Sequence, residues 1–332
     1  MGPHPAPLPP GEEMEWVLAA ANLAIPRRRV SPITRRNTLV GLAFCTPWLI
    51  GLLAFRAYPI LAAFWYSFTD YQGMNEPEFI GPGNYVGLFR DSELAVAAGN
   101  TFQYTLMAIP AAIVTALGLA LILNSKTKGL PFYRTLFFLP ILVPDVALSL
   151  VWLQMFNPQF GLVNLLIESI ARLFGYSIAG PGWLASTEWS KPTLVLLNVW
   201  TVGQAMVIYL AALQDVPQDL LDAAAVDGAN WYQKIWHVTV PLVTPVIFYQ
   251  LVIGLIASLQ LFTQPFVISS GIGQPGQSLL FYAMLLYRQA FIYFNMGRAS
   301  AMAWTLFLVI LVLSYVVFRT SGWVHYGGEE KR

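Results

Sequence analysis

Residues 222–245, DAAAVDGANWYQKIWHVTVPLVTP, decide how the whole chain is read, because this polar, alanine-rich stretch joins two apolar runs that are each long enough to cross a bilayer. A simple lipid anchor has no use for such an insert. Asp215 is placed to cap a helix that Pro217 starts, Asp219 and Asp222 favour its N-terminal end, and Asp227-Gly228 is placed to stop it. A second short helix is expected from 230 to 237, leading to Pro241.

Composition carries the argument outward. The chain is 57% hydrophobic and only 11% charged, with a mean hydropathy of +0.59, whereas soluble domains carry roughly 25% charged residues. This composition belongs to an all-α polytopic membrane protein. A bilayer core of ~30 Å needs ~20 apolar residues per helix, and the segments 38–60, 101–123, 135–156, 193–213, 240–262 and 299–318 meet that length, predicting six spans with both termini on one side. Pro47, Pro110, Pro140, Pro144 and Pro245 fall inside or beside these spans and predict kinks. Further short helices are expected at about 84–95, 161–174 and 217–237.

Lysine and arginine placement predicts the orientation. Arg27, Arg28, Arg29, Arg35, Arg36, Lys126, Lys128, Arg134, Lys234, Arg319, Lys331 and Arg332 fall on one side, against Arg90, Arg172, Lys191 and Arg288 on the other. The first side is expected to be cytoplasmic, so the loop over 214–239 faces the cytosol in a multi-pass plasma (inner) membrane protein. Three regions follow: an N-terminal cytoplasmic tail over 1–36, proline-rich and expected to be disordered; a membrane domain over 37–320; and a C-terminal cytoplasmic tail over 321–332. The first apolar run, 16–25, does not read as a signal peptide, since Glu12, Glu13 and Glu15 precede it where positive charge belongs. Cys45 is the single cysteine, so no disulfide forms within the chain, and a net charge of +1 argues against a nucleic-acid partner.

The loop resembles the cytoplasmic loop of ABC importer permeases: Glu-Ala-Ala, two residues, Asp-Gly-Ala, and a Leu-Pro about eleven residues on. Here the pattern reads Asp222-Ala223-Ala224, Asp227-Gly228-Ala229 and Val240-Pro241, with Asp222 in place of the usual Glu and Val240 in place of the usual Leu. Asn84-Tyr85, Asn100-Thr101, Tyr104-Thr105, Phe132-Tyr133-Arg134, Phe137-Phe138-Leu139-Pro140, Phe156-Asn157-Pro158, Met296-Gly297 and Ala299-Ser300-Ala301 follow the order found in the sugar-type branch, the relatives of maltose and glycerol-3-phosphate importer permeases. The resemblance covers roughly 40–320. It implies a six-span core with short cytoplasmic coupling helices, partnered by two ATP-binding subunits, a second related permease and an external solute-binding protein. The chain has no phosphate-binding loop of its own, so hydrolysis is expected on a partner chain. No cofactor or metal is expected. The loop helix then acts as a knob, with Ala223, Ala224, Ala225 and Val226 as a smooth surface, Asp222 reaching an arginine, and Gly228 making the turn. Gly228→Asp is expected to uncouple transport without preventing insertion.

For the solute, a carbohydrate or polyol, the resemblance points to mid-membrane positions on the spans that flank this loop. Trp200 and Gln204 lie one helical turn apart, and Gly254, Ser258 and Leu261 share a face. A ring to stack on a sugar, an amide and a hydroxyl to bond it, and a glycine making room suit an uncharged solute. Gln250 and Gln260 are weaker candidates. The plainer alternative for the polar members is helix-to-helix hydrogen bonding.

Other features point elsewhere. Gly271-Ile272-Gly273-Gln274-Pro275-Gly276 spells a dinucleotide fingerprint but follows a span rather than a strand, and reads as a flexible external loop. His4, His237 and His325 lack metal-ligand spacing. Arg56 is placed to snorkel to the outer interface, which Tyr58, Trp65, Tyr66 and Tyr71 mark as an aromatic belt. Asp145 is an intramembrane carboxylate and supports the competing reading, a proton-coupled secondary transporter with Asp145 as carrier. An intramembrane hydrolase lacks a nucleophile, base and orienter set.

Overall fold

The computed structural model describes residues 32–125 and 128–324. The tail expected over 1–36 lies up to residue 31 outside them, as do Lys126, His4, His325 and residues 325–332 of the C-terminal tail. The chain divides into two compact units, 1–61 and 62–332. In the first, α1 (Pro32–Leu52) carries Pro47 without a break and continues through a π-helical turn, Leu53–Ala57, toward α2 (Tyr58–Tyr66). The wider turn sits just ahead of Pro59, whose ring cannot fit the tighter α-helical ladder without a clash.

The second unit is organised around α4 (Ser92–Leu123), which runs unbroken through Pro110. Its inward stripe is built from small residues at three- or four-residue steps: Ala97, Thr101, Thr105, Ala108, Ala112, Ala116 and Ala120. Small side chains let neighbouring backbones approach closely where lipid supplies no hydrophobic drive between helices. Three buried clusters form along it. Leu88, Leu94 and Ala97 meet Leu280, Tyr282, Met284, Ala301 and Met302. Tyr104 and Ala108 meet Leu148, Trp152, Leu194 and Leu197. Ala116, Ala120 and Leu123 meet Met206, Tyr209, Leu213 and Val243.

The short helix expected at 84–95 divides in two. α3 (Gly83–Phe89) ends at Arg90, and Asp91 then caps α4, its Oδ1 accepting from the amides of Glu93 at 2.8 Å and Leu94 at 3.3 Å. The other carboxylate oxygen pairs with Arg298. Asp91→Ala removes the cap and leaves a largely buried arginine without its partner. We expect a loss of about 2 kcal/mol or more, read as a lower thermal midpoint of the purified chain, with Asp91→Asn intermediate.

Asn84 and Tyr85 hold the two-stranded hairpin β1 (Thr69–Asp70) and β2 (Glu78–Phe79), which is antiparallel with Thr69 opposite Phe79. Asn84 Nδ2 donates to the carbonyls of Ser67 and Thr69 at 3.0 and 2.9 Å, and Tyr85 Oη donates to Ser67 Oγ at 2.8 Å. Gly297 lies against the Thr69 carbonyl, where a Cβ would overlap it.

Two of the expected spans are broken. α5 (Leu130–Phe138) leads through a 3-10 turn, Leu139–Leu142, to α6 (Asp145–Met155), and the pair is bent by 98°. α8 (Ser190–Trp200) and α9 (Gly203–Gln214) are bent by 50°. The described residues thus hold four helices long and apolar enough to cross a membrane, or six when each bent pair counts as one span. Pro110 and Pro245 sit inside continuous helices, whereas the Pro140/Pro144 pair does break one. Val143 precedes Pro144 and is driven to the extended φ −80°, ψ 126° that a following proline imposes. α7 (Leu162–Leu173) matches the helix expected at 161–174.

α10 (Gln218–Val226) follows Pro217, but the Asp215 side chain does not cap it. The expected separate helix over 230–237 is likewise corrected. α11 (Trp231–Lys234), opened by a reciprocal Asn230/Gln233 capping box, runs through a π-helical turn (Ile235–Thr239) directly into α12 (Val240–Leu259). The turn lets Pro241 join the helix instead of ending one. The candidate span is Trp231–Ile268, and its continuous helical part, from Trp231 to Leu259, is about 43 Å at 1.5 Å per residue, so it extends beyond the ~30 Å hydrocarbon core.

Past α13 (Thr263–Ile268), the glycine-rich stretch is built into the fold rather than loose. Gly271 and Gly273 are buried at φ +76° and +84°. Asn100 Nδ2 donates to the carbonyls of Gln277 at 2.7 Å and Leu280 at 3.0 Å, and Thr101 Oγ1 accepts from the Tyr282 amide at 2.9 Å. This holds the start of α14 (Tyr282–Tyr287) against α4, and α15 (Met296–Arg319) follows. Tyr282 donates to the Met302 carbonyl at 2.9 Å, and burial pushes its phenol pKa upward.

Candidate functional site

Both breaks open onto the same place. A cavity of about 470 Å³ is lined by α4 (Tyr104, Ala108), by the α5/α6 break (Pro140, Val143, Asp145), by the α8/α9 break (Asn198, Thr201, Gln204), and by α12 with its extension (Gln250, Gly254, Ser258, Leu261, Gln264). A second cavity of about 220 Å³ continues it along Asn198, Thr201, Gln204 and Gln250. The main cavity falls within the ~300–1,000 Å³ usual for small-molecule sites. Broken helices at membrane depth are tolerated where they line such a space, since the freed backbone groups find partners there.

Gln204, Gly254, Ser258 and Leu261 are brought together as the sequence suggested. Trp200 is not: it lies edge-on to Trp152 at 5.7 Å and is 56% exposed away from the cavity. In a straight helix, Trp200 and Gln204 would share a face. The bend after Trp200 re-phases the chain, so that Gln204 shares the cavity with Asn198 and Thr201 rather than a face with Trp200. Gly203 fixes this bend by packing on the backbone of Phe137 and Phe138. Gly254 makes only modest room, because an added Cβ would meet Ile109 Cγ1 at an ordinary 3.7 Å. Ser258 Oγ donates to the Leu255 carbonyl at 3.2 Å, so its proton is already engaged. Gln250 lines the wall and Gln260 does not.

Sequence reasoning missed Asn198, Thr201, Tyr209 and Gln264, whose polar character was visible but whose common direction depends on the two bends. Three wall groups are buried polar atoms with no hydrogen-bond partner among the described residues: Tyr209 Oη, Gln250 Nε2 and Gln264 Oε1. Leaving such groups unmade costs about 1–3 kcal/mol each, so this wall is suited to a polar guest rather than to tight packing.

At the other end of the α12 lever, α10 ends in a Schellman turn. The Ala229 amide donates to the Ala224 carbonyl at 2.9 Å and the Gly228 amide to Ala225 at 3.1 Å, with Gly228 at φ +81°. Asp222 is exposed and takes a hydrogen bond from Gln218 Nε2 at 3.1 Å. Val226 is 88% exposed at the tip. Asp222, Ala223, Ala224, Asp227, Gly228 and Ala229 therefore form one knob, while Pro241 lies in the lever behind it.

Residues 104–325 match the family model described as binding-protein-dependent transport system inner membrane component. A probable ABC transporter permease protein, YesP, of Bacillus subtilis is 37% identical over 300 residues, covering 90% of this chain and 95% of its own. A probable permease protein of a starch degradation products transport system, AmyD, of Thermoanaerobacterium thermosulfurigenes is 32% identical over 274 residues, covering 82% and 90%. The fold is shared with a bacterial alginate ABC transporter crystallised with its alginate pentasaccharide-bound periplasmic protein, at a TM-score of 0.76 and 24% identity over 87% of this chain and 95% of that one. These relationships leave the proton-coupled carrier without support and identify a transport subunit rather than an ATPase. The chain belongs to the family of inner membrane components of binding-protein-dependent ABC transport systems.

Proposed function

We propose that this permease carries a carbohydrate or polyol inward by alternating access, driven by two ATP-binding subunits that grip the α10 knob. The observation that carries this reading is the convergence of both broken spans and the α12 lever on one polar cavity. A closing ATPase pair moves the knob, and the helix from Trp231 to Leu259 transmits the displacement to Gly254 and Ser258. A second, related permease completes the pathway, and an external solute-binding protein delivers the solute at the opposite face. Both termini lie in the cytoplasm on this reading, as the arginine-rich flanks support. The polar amides of the wall suit hydroxyl-rich solutes, in keeping with the starch degradation products named for the Thermoanaerobacterium relative.

Reconstitution of the four kinds of subunit in proteoliposomes tests the proposal. Uptake of labelled maltodextrin or a related saccharide is expected only with ATP, the ATPase and the binding protein present; uptake that persists without the ATPase overturns it. Gln204→Leu and Gln250→Leu each remove a hydrogen-bonding group worth about 1 kcal/mol. Each is expected to raise the half-saturating solute concentration several-fold with little change in basal ATPase.

A further inference from the structure

Among the described residues, Asp145 is the only charged one on the wall of the main cavity. The rest of the polar lining is neutral, comprising the amides of Asn198, Gln204, Gln250 and Gln264 and the hydroxyls of Thr201, Ser258, Tyr104 and Tyr209. The 98° break places Asp145 there as the first residue of α6, with its side chain exposed. Its backbone carbonyl accepts from Ser149 Oγ at 2.6 Å. Among the described residues, the ion pairs are Arg172–Glu168, Arg288–Glu93 and Arg298–Asp91, and none of their cations pairs with Asp145. On the same cavity wall, the buried Tyr209 hydroxyl and the Gln250 and Gln264 amide atoms have no hydrogen-bond partner among the described residues.

We propose that Asp145 is a specificity-determining residue of the solute pathway, which admits saccharides carrying no negative charge and rejects those bearing carboxylates, such as uronosyl glycans. The proposal rests on the cavity being the solute pathway. A carboxylate accepts hydrogen bonds from sugar hydroxyls and attracts an amino sugar's ammonium. It repels a solute carboxylate a few ångströms away, across a cavity whose apolar walls keep the effective dielectric below that of bulk water.

The test uses the assembled transporter with Cys45→Ser, which removes the single native thiol, and a reporter cysteine at Ala257, an exposed small residue of the cavity wall. The rates of modification by a trimethylammonium methanethiosulfonate and by its sulfonate counterpart are compared. Asp145→Asn is expected to lower the cation-to-anion rate ratio about tenfold, whereas Asp145→Glu keeps it. Uptake of a glucuronic-acid-containing disaccharide relative to its neutral analogue should rise by a similar factor in Asp145→Asn. A rate ratio within twofold of the parent in Asp145→Asn overturns the charge filter, as does an unchanged uronate-to-neutral uptake ratio. If neutral saccharide neither protects the cysteine nor is taken up by the parent, it is the pathway assignment that fails, a result separate from the electrostatic one.

Discussion

Gly228→Val is expected to abolish solute-stimulated ATPase in the assembled transporter while the chain still inserts and still binds its partners. Gly228 adopts φ +81° at the end of α10, and an added Cβ would meet no other atom within 4 Å. The penalty is therefore conformational: about 1–2 kcal/mol for an L-residue in the left-handed region, and more for a β-branched one. About 1.4 kcal/mol changes an equilibrium tenfold, so the native turn becomes a minor state and the knob loses its shape. Gly228→Asn, which tolerates this region, should retain most of the stimulation. Gly228→Asp has the same shape as Asn but adds charge beside Asp227, so any loss beyond that of Asn reports repulsion at the docking face. Comparable stimulation in Val, Asn and glycine forms would remove the knob from the mechanism.

Gly203→Ala should strike the pathway itself. The new methyl would overlap the Phe137 carbonyl oxygen and stand 2.9 Å from Phe138 Cα. Both are backbone atoms that cannot rotate away. Overpacking of this kind costs about 1–3 kcal/mol, and here the strain is relieved by parting α9 from the α5/α6 break, the two elements that carry Gln204 and Asp145. We expect a fall of several degrees in the thermal midpoint and at least a tenfold loss of uptake, with the ATPase contact intact because the knob is remote. Gly254→Ala serves as the contrast: its Cβ meets Ile109 at an ordinary contact distance, so near-normal stability is expected. Equal tolerance at both positions would show that the α9 contact does not hold the cavity.

Much of this was legible in the residues. The Asp227-Gly228 stop, the apolar runs and the separate α7 follow from local chemistry: a glycine where φ must be positive, and run lengths set by bilayer thickness. The cavity was legible in part. Gln204 and the Gly254/Ser258/Leu261 face could be read because they lie on regular helix, where spacing fixes direction. Trp200 was misplaced because a bend at residues 201–202 intervenes between it and Gln204, and periodicity does not carry across it.

Proline also has no single meaning in the sequence. Pro110, Pro245 and Pro241 are absorbed into continuous helix, while Pro140 and Pro144 break one. The outcome depends on whether neighbouring helices re-satisfy the freed carbonyls and whether a π-turn can form ahead of the ring.

The sequence by itself determined that this chain crosses a membrane repeatedly, that it bears a glycine-terminated knob between two spans, and that it lacks a nucleotide loop. These are properties of run length, turn chemistry and composition, each settled within a few residues of chain. Only the tertiary structure decided that α11 and α12 form one lever and that the two broken spans meet, turning Asn198 and Asp145 toward the same space as Gln250. Such directions are set by contacts between segments far apart in sequence, above all Gly203 against Phe137, and no local pattern encodes them.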